Sequence, residues 1–369
     1  MRVVIACDSF KECMSASEAN HAIAEGFHCV NPDIECYVIP MADGGEGTLE
    51  CLVDAHQGKV YEFEVSDPYL RKIKAPIGII GHFAVIESAK CCGLELLSEE
   101  EKNPFLTSTY GLGELILHAL DMGVKQLLVT LGGSSTNDGG IGMLMALGAH
   151  FYDKEGYEVS PNGEGLCHIE KADFTCLDKR LKDIKIVAGC DVDNPLCFET
   201  GATYIYGPQK GLLEQDKERL DQAMYHYGQL VSSEMIDYPG SGAAGGLGFA
   251  FKLINANLRK GFDIVAKLNH LEDYIKEADL VIVGEGSMDK QTGYGKTPYG
   301  VLKMAKKYNK PVYGFAGRLS DKDELRGLGF DGVQCITPKN TNLDIALKEG
   351  KMNLKNKAKE FISFYSMMI

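Results

Sequence analysis

The sequence Leu131-Gly132-Gly133-Ser134-Ser135-Thr136-Asn137-Asp138-Gly139-Gly140-Ile141-Gly142 combines glycines, small hydroxyl side chains and one carboxylate. The apolar run 126–130 before it predicts a buried strand, and the apolar run 143–147 after it predicts a helix. Glycines let a backbone turn sharply and approach a ligand closely, and a helix N-terminus offers unpaired N–H groups to an anion. The stretch therefore predicts either a strand–helix turn capped by Asn137 or Asp138, or a phosphate-binding loop.

Glycine-rich segments of this kind recur along the chain. They are Asp43 to Gly47, Gly132 to Gly142, Gly240 to Gly248 and Gly284 to Gly295. The last of them is not a Walker A loop, because that motif needs a glycine five positions before Gly295 and position 290 is a lysine. The Gly-Ser-Gly at 240–242 lacks the strand context of a dinucleotide fingerprint. Four such segments together favour a cleft that handles phosphate.

The bulk composition sets the class of protein. At 369 residues the chain is long for a single core, which favours two domains. Its 45% hydrophobic and 24% charged residues are typical of a globular protein, and the net charge of −14 disfavours nucleic acid and acidic membrane surfaces as partners. The 12 cysteines show no CxxC spacing and no disulfide framework, and the N-terminus begins with a short strand instead of a signal peptide. These features predict a cytoplasmic protein.

The chain has a different character at its two ends and in its middle. Both ends alternate apolar strands with helices, and polar residues gather where the strands stop, which is typical of an open parallel sheet. From about Lys74 the strands become short and closely spaced. We therefore predict an α/β fold in which one parallel-sheet domain is built from residues 1–72 and 275–369. A second α/β domain, residues 73–274, is inserted into it, and we expect the active site in the cleft between the two.

Charged side chains cluster at the predicted strand ends. The carboxylates are Asp8, Asp43, Asp191, Asp193, Glu285 and Asp289, and the cations are Lys11, Arg71, Lys210 and Lys296. Phosphoryl transfer uses cations and backbone N–H groups for phosphates, carboxylates for Mg²⁺ and one carboxylate as base. A turn or cap role is the simpler interpretation of any single aspartate in a loop. Asp191 is the exception, because it follows a buried strand and precedes the rigid Asn194-Pro195.

Six motifs in the chain resemble those of the type-I glycerate kinase family, and they occur in that family's order. They are Asp8-Ser9-Phe10-Lys11, 42–47 (Ala-Asp-Gly-Gly-Glu-Gly), 131–140, Asp191-Val192-Asp193-Asn194-Pro195-Leu196, 207–211 (Gly-Pro-Gln-Lys-Gly) and Gly284-Glu285-Gly286. The resemblance covers essentially the whole chain. It implies a flavodoxin-like domain with an inserted α/β domain, and ATP- and Mg²⁺-dependent phosphorylation of D-glycerate, commonly to 2-phosphoglycerate.

With that resemblance, the candidate residues acquire roles. We expect Asp191 to act as the base and Lys11 to assist catalysis, with Asp193 as the metal ligand. The expected ATP-binding residues are Gly132, Gly133, Ser134, Ser135, Thr136 and Asp138. The expected substrate-binding residues are Asp8, Ser9, Asp43, Arg71, Glu285, Asp289 and Lys296.

The chain departs from the family pattern in three places. Glu12 and Cys13 follow Lys11 where small residues are usual, Leu70 stands where glycine is usual, and Ser287 stands where arginine is frequent. Three alternatives to a glycerate kinase stay open at this stage: a kinase for another hydroxy acid or sugar acid, a ligand sensor without turnover, and an ATP-independent hydrolase or lyase. Whether the chain forms a homodimer is also left open.

Overall fold

The computed structural model describes residues 1–294 and 296–367, without the side chains of Gln291 and Tyr294. Gly295, part of the fourth glycine-rich segment, lies outside the described residues. The strands are β1 Arg2–Ile5, β2 Glu35–Val38, β3 Lys59–Ser66, β4 Lys72–Ile80, β5 Phe83–Glu87, β6 Gln126–Thr130, β7 His150–Tyr152, β8 Lys171–Asp173, β9 Lys185–Gly189, β10 Asn257–Arg259, β11 Leu280–Met288, β12 Val312–Leu319 and β13 Gly332–Cys335.

Helices alternate with these strands. The α-helices are α1 Ala16–His28, α2 Thr48–Ala55, α3 Ala89–Cys92, α4 Tyr110–Asp121, α5 Ile141–Ala146, α6 Gly163–Leu166, α7 Ala202–Tyr206, α8 Lys217–Val231, α9 Ala243–Leu253, α10 Gly261–Leu268, α11 Leu271–Glu277, α12 Thr297–Lys307, α13 Lys322–Gly327 and α14 Leu343–Tyr365. Short 3₁₀ helices occupy Leu94–Leu96, Glu99–Glu101, Lys179–Lys182, Pro208–Lys210, Glu214–Asp216, Ser233–Met235 and Lys290–Tyr294.

The chain divides into two compact units. The terminal unit comprises Met1–Asp43, Glu50–His56 and Phe262–Ile369, and the inserted unit comprises Gly44–Leu49 and Gln57–Gly261. Both are α/β structures with parallel strands, so the predicted fold class is confirmed. Within the described residues, no helix is both long and apolar enough to cross a bilayer.

The terminal unit is a parallel sheet in the order β2–β1–β11–β12–β13. Renumbered within the unit, this is the 2-1-3-4-5 order of flavodoxin-like folds. Its central strands read as unbroken apolar runs, Val3–Ile5 and Leu280–Val283, because a parallel sheet with helices on both faces buries both sides of each strand. The strand order reverses direction between β1 and β11, and ligands of open α/β sheets bind at the carboxyl ends of such a strand pair.

Two long helices support this sheet. Ser15 caps α1 in a capping box: its hydroxyl accepts from the Glu18 N–H, while the Glu18 carboxylate accepts from the Ser15 N–H. Helix α14 packs against α1 and against the sheet, and Phe27, Phe315 and Phe361 meet in the shared core. The helices fix the position of β1, and with it the loop that begins at Asp8.

The inserted unit is a mixed sheet in the order β10–β9–β6–β5–β4–β3. Strands β10, β9, β6 and β5 run parallel, while β4 and β3 add an antiparallel ribbon at one edge. The strand and helix predicted on either side of the glycine-rich stretch are β6 and α5. The apolar side chains of these elements form the unit's own core.

The observed units differ from the predicted domains at both boundaries. Residues 57–72 were expected in the terminal domain and lie in the inserted unit, because β3 pairs with β4 along its whole length. Residues 262–274 were expected in the inserted domain and lie in the terminal unit. Residues 44–49 also belong to the inserted unit. Antiparallel pairing at a sheet edge, which composition does not reveal, accounts for the first difference.

Candidate active site

Asp8 and Glu285 stand at the point where the strand order of the terminal unit reverses. Asp8 follows β1, Glu285 lies near the end of β11, and the Asp8 N–H donates to the Gly284 carbonyl across 2.9 Å. Both positions lie toward the carboxyl ends of parallel neighbours, so their side chains share one edge of the sheet. Two of the sequence-predicted carboxylates are therefore brought together.

Asp8 is held by donors on two sides. The Ser9 N–H donates to Oδ1 at 2.7 Å, and the Thr297 hydroxyl at the start of α12 donates to Oδ2 at 2.5 Å. Burial, together with repulsion from Asp43 and Glu285, nevertheless raises the pKa of Asp8 to about 7. Near neutral pH this carboxyl can therefore both take up and release a proton.

Glu285 is buried and paired with the residues that follow β11. Its carboxylate accepts from the Thr292 hydroxyl at 2.9 Å and from Lys296 Nζ at 3.4 Å. Burial raises the pKa of Glu285, and the Lys296 cation opposes that shift. Asp289 is partly buried in the same turn, where its N–H donates to the Thr292 hydroxyl oxygen.

Lys11 is exposed and lines a cavity of about 250 Å³ in the terminal unit. The walls come from the loop after β1, from Gly286 and Gly317 on β11 and β12, and from the first turns of α14. A cation at the rim of a cavity on the carboxyl edge of a parallel sheet is suited to an anionic ligand.

In the inserted unit, the glycine-rich stretch joins β6 to α5. Asp138 is completely buried, and its carboxylate accepts from the N–H and hydroxyl of Thr109 and from the N–H groups of Gly140 and Gly142. Two N–H groups at the start of α5 are thus already used within the unit. Burial raises the pKa of Asp138, and these four donors lower it. Its carboxylate holds the shape of the loop, which differs from the direct ATP contact expected from the sequence.

The rest of the stretch is divided between an exposed and a buried part. Gly132 and Gly133 are exposed, whereas Ser134, Ser135 and Thr136 are buried. Ser135 donates its N–H and its hydroxyl to the Cys92 carbonyl. The surface open to a ligand is therefore the backbone at Gly132 and Gly133, next to Ser134.

Asp191 and Asp193 are exposed in the loop after β9. The Gly261 N–H donates to Asp191 Oδ1 at 3.0 Å, which ties this loop to the end of the inserted unit. Across residues 1–294 and 296–367, no cluster of three or more His, Cys, Asp or Glu side chains forms a ready-made metal site. A metal held mainly by substrate oxygens and one or two carboxylates needs no such cluster.

Arg71 lies in the inserted unit and is engaged by two carboxylates. Its Nε donates to Asp67 at 2.5 Å and its Nη1 to Glu101 at 2.6 Å, and these bonds raise the pKa of the guanidinium. Arg71 follows Leu70, which adopts a left-handed backbone with φ of 62°. Glu12, another departure from the family pattern, is also left-handed, with φ of 61°. The family's glycine in place of Leu70 is explained by this conformation.

The sequence did not indicate two residues near the candidate site, and it gave a third no role. Thr297 and Thr292 contact Asp8 and Glu285, and Lys210 lies beneath the glycine-rich stretch, where its Nζ donates to Ser134 Oγ. Pro298 in the first turn of α12 is typical of a helix start, but it carries no information about Asp8. Lys210 was recognised as one of several loop cations, without a role.

Residues 3–366 match the family model described as the glycerate kinase family. The chain belongs to the glycerate kinase family. Similar proteins include the glycerate kinase of Haemophilus influenzae, 45% identical over 96% of both chains. The glycerate 2-kinase of Escherichia coli is 42% identical over 96% of this chain and 95% of its own. A crystal structure from Salmonella typhimurium LT2, assigned to glycerate kinase 2, has a TM-score of 0.91 at 41% identity and covers 100% of this chain and 98% of that one.

These similarities confirm the family resemblance that the six motifs carry, and with it the expectation of an enzyme of the kinase class. The similarity extends over both units, so both belong to the family's architecture.

Proposed function

We propose that the protein transfers the terminal phosphoryl group of ATP to a hydroxyl of D-glycerate and releases 2-phosphoglycerate. Family membership over residues 3–366 and the name of the E. coli relative support the reaction and its product. The structural observation that carries the proposal is the cluster of Asp8, Glu285, Lys296 and Thr297 at the strand reversal of the terminal unit. The carboxylates of such a cluster can accept hydrogen bonds from the hydroxyl groups of the substrate, and its lysine can pair with the substrate carboxylate.

In the terminal unit, glycerate would be held through its hydroxyls and its carboxylate. Carboxylates accept hydrogen bonds from hydroxyl groups, and Asp8 and Glu285 keep acceptor capacity beyond their present partners. Lys11, exposed at its cavity, would supply the counter-charge for the substrate carboxylate or the transferred group. Ser9, Asp43, Asp289 and Lys296 would complete the surroundings of the substrate.

Arg71 would bind an oxyanion through Nη2 of its guanidinium. Its pairs with Asp67 and Glu101 use Nε and Nη1, and they hold the guanidinium in one orientation. A planar guanidinium carries five donors, so Nη2 can still donate to an oxyanion. Because two carboxylates already neutralise its charge, we assign Arg71 a smaller share of anion binding than Lys11.

Asp191 would accept the proton of the attacking hydroxyl. It is an exposed carboxylate at the end of a parallel strand, with one oxygen oriented by the Gly261 N–H. A base positioned in this way contributes about 10²- to 10⁴-fold to a rate.

Asp193 would hold Mg²⁺. Two exposed carboxylates on one loop are hard oxygen donors, and Mg²⁺ in kinases is bound by one or two carboxylates together with substrate phosphates and water. The donor set fits the ion. When bound, Mg²⁺ neutralises negative charge on the phosphates and orients the transferred group.

The loop from Gly132 to Thr136 would bind the ATP phosphates. Its exposed glycines allow close approach of a phosphate to the backbone, and Ser134 stands next to them. Asp138 would keep the loop in shape through the four hydrogen bonds described above. Direct contact with ATP is proposed for Gly132, Gly133 and Ser134, with Ser135 and Thr136 shaping the loop behind them.

The decisive experiment is to incubate the protein with D-glycerate, ATP and Mg²⁺ and to identify the product by ³¹P NMR. The proposal expects ADP and the resonance of 2-phosphoglycerate. A 3-phosphoglycerate resonance would correct the position, and ADP formation only with another hydroxy acid or sugar acid would correct the substrate. Saturable ligand binding without any ADP would reject the kinase in favour of a sensor.

A further inference from the structure

Lys210 is a buried lysine with neutral partners. It is 1% exposed at the end of the Pro208–Lys210 turn, and its Nζ donates to Ser134 Oγ at 2.9 Å and to the Thr136 carbonyl at 2.6 Å. Among the described side chains, no carboxylate forms an ion pair with it. Burial lowers the pKa of Lys210 to about 8, while Cys92 and Asp138, the titratable groups that face it, act in the opposite direction. A buried ammonium without a counter-ion is costly.

The bond from Lys210 determines what the Ser134 hydroxyl can do. Because Nζ donates to Oγ, Ser134 accepts on that side and its own hydroxyl hydrogen must point elsewhere. Within the described part of the chain, that hydrogen has no acceptor. Ser134 directly follows the exposed Gly132 and Gly133, so this donor belongs to the same loop as the open backbone.

Further polar groups around the loop also lack hydrogen-bond partners among the described residues. The hydroxyls of Thr136 and Ser88 are completely buried and have no hydrogen-bond partner among the described residues. The Ser88 N–H donates to the Thr130 carbonyl, which places Ser88 beside the end of β6, where the loop begins. Each hydroxyl can accept as well as donate, and buried polar groups are normally hydrogen-bonded, so the polar groups around this loop are incompletely satisfied. Asn137 Oδ1 is an unpaired acceptor in the same segment.

We propose that Lys210 is a positioning residue that fixes the Ser134 hydroxyl so that it donates to a phosphate oxygen of a ligand on the Gly132–Thr136 loop. The charge of that phosphate then serves as the counter-charge of Lys210, and phosphate binding draws a proton from solvent onto Nζ. This inference rests on the proposed function, since it assumes that the loop receives ATP phosphates. It adds a residue and a proton-linked binding step to that function.

Proton uptake gives a test that needs no variant. At pH 8, where about half of the Lys210 side chains are neutral, binding of Mg–ATP should take up about half a proton. Calorimetric titrations of the wild-type protein with Mg–ATP, in two buffers of different ionisation enthalpy, measure this number. At pH 6.5 the uptake should vanish, because Lys210 is already charged. Binding at pH 8 without proton uptake would overturn the inference.

Variants test the route through Ser134. Ser134→Ala and Lys210→Met should each weaken Mg–ATP binding by about 10- to 100-fold, the range for a hydrogen bond to a charged group. If Lys210 acts through Ser134, the double variant should bind about as weakly as either single one. Additive losses would show that the two residues act separately. Lys217→Met is the matched control, because Lys217 is a largely buried lysine of the same unit paired with Glu214.

Two further comparisons separate the possible outcomes. If phosphate alone supplies the counter-charge, binding of inorganic tripolyphosphate should show the same proton uptake as binding of ATP. Proton uptake with ATP only would assign the uptake to the nucleoside, against the inference. If Lys210→Met does not fold, the wild-type proton count and Ser134→Ala decide the question. Wild-type protein that makes no ADP refutes the proposed function, whereas normal turnover with no proton uptake refutes this inference alone.

Discussion

The Thr297 hydroxyl donates to Asp8 Oδ2 across 2.5 Å and so connects the first turn of α12 to the loop after β1. The two residues are 289 positions apart in the sequence. This bond stabilises the charged form of Asp8 against the burial and the neighbouring carboxylates that favour the protonated form. The Thr297 hydroxyl, which is distant from Asp8 in the sequence, is therefore one of the groups that set the pKa of this carboxyl.

Thr297→Val should raise the pKa of Asp8 above its value of about 7, because the lost hydrogen bond is one of the contacts that lower it. A ¹³C NMR titration of the Asp8 carboxyl measures the change. Thr292→Val is the matched control, since Thr292 donates to Glu285 and not to Asp8. An unchanged midpoint in Thr297→Val would contradict the role assigned to this bond.

Asp8→Asn should change how stability depends on pH. The pKa of Asp8 is about 7 in the folded protein and near 3.8 in the unfolded chain, so between these values the folded state binds more protons. The contribution of Asp8 to the free energy of unfolding therefore falls as pH rises from about 4 to about 7. Relative to wild type, the variant should gain stability over this window, which urea unfolding at pH 5 and pH 8 would reveal. A constant difference between the two proteins would refute the raised pKa.

Asp191→Asn should lower kcat by about 10²- to 10⁴-fold, because an amide cannot accept the proton of the attacking hydroxyl. Its side-chain oxygen can still accept from the Gly261 N–H, so the loop should keep its shape. Mg–ATP binding, measured by calorimetry, should be nearly unchanged. Asp193→Asn is the comparison variant, for which the Mg²⁺ concentration needed for half-maximal rate should rise. Near-normal turnover in Asp191→Asn would transfer the base role to another carboxyl.

Leu70→Gly should stabilise the protein. A left-handed backbone costs an ordinary residue about 1–2 kcal/mol, while the extra freedom of glycine in the unfolded chain costs about 0.5–1 kcal/mol. The free energy of unfolding should therefore rise by roughly 0.5–1 kcal/mol, as measured by urea unfolding. Leu213→Gly is the control, because Leu213 is also exposed but has an ordinary φ of −75° and should lose stability. Equal effects at the two positions would rule out backbone strain at Leu70.

Much of the fold follows from the sequence because parallel sheets have simple signals. Val3–Ile5 and Leu280–Val283 are unbroken apolar runs, and both form buried central strands. The sequence predicts Asp8 and Glu285 at the ends of parallel strands, and because such ends share one edge of the sheet, the structure has them near each other. The capping box at Ser15 is also a local pattern, which can be recognised in the sequence.

Contacts between residues that are far apart in the sequence could not be predicted. The approach of Thr297 to Asp8 depends on how α12 packs, and no short pattern encodes it. Lys210 looks like an exposed loop cation in the sequence, yet it is buried under Ser134. Arg71 looks like a free substrate cation, but Asp67 and Glu101 engage it. In each case the tertiary packing determines the hydrogen-bond or ion-pair partner of the side chain.

Strand β1 of the terminal unit obtains its two neighbours from distant parts of the chain. β1 pairs with β2 at once, but its other edge pairs with β11, beginning at Leu280. At ribosomal rates of about 5–20 residues per second, β1 waits roughly a quarter of a minute to a minute for that partner, while the inserted unit emerges whole. During synthesis, an apolar strand with an open edge is therefore a natural client for chaperones, and the inserted unit is the first part able to acquire its native form.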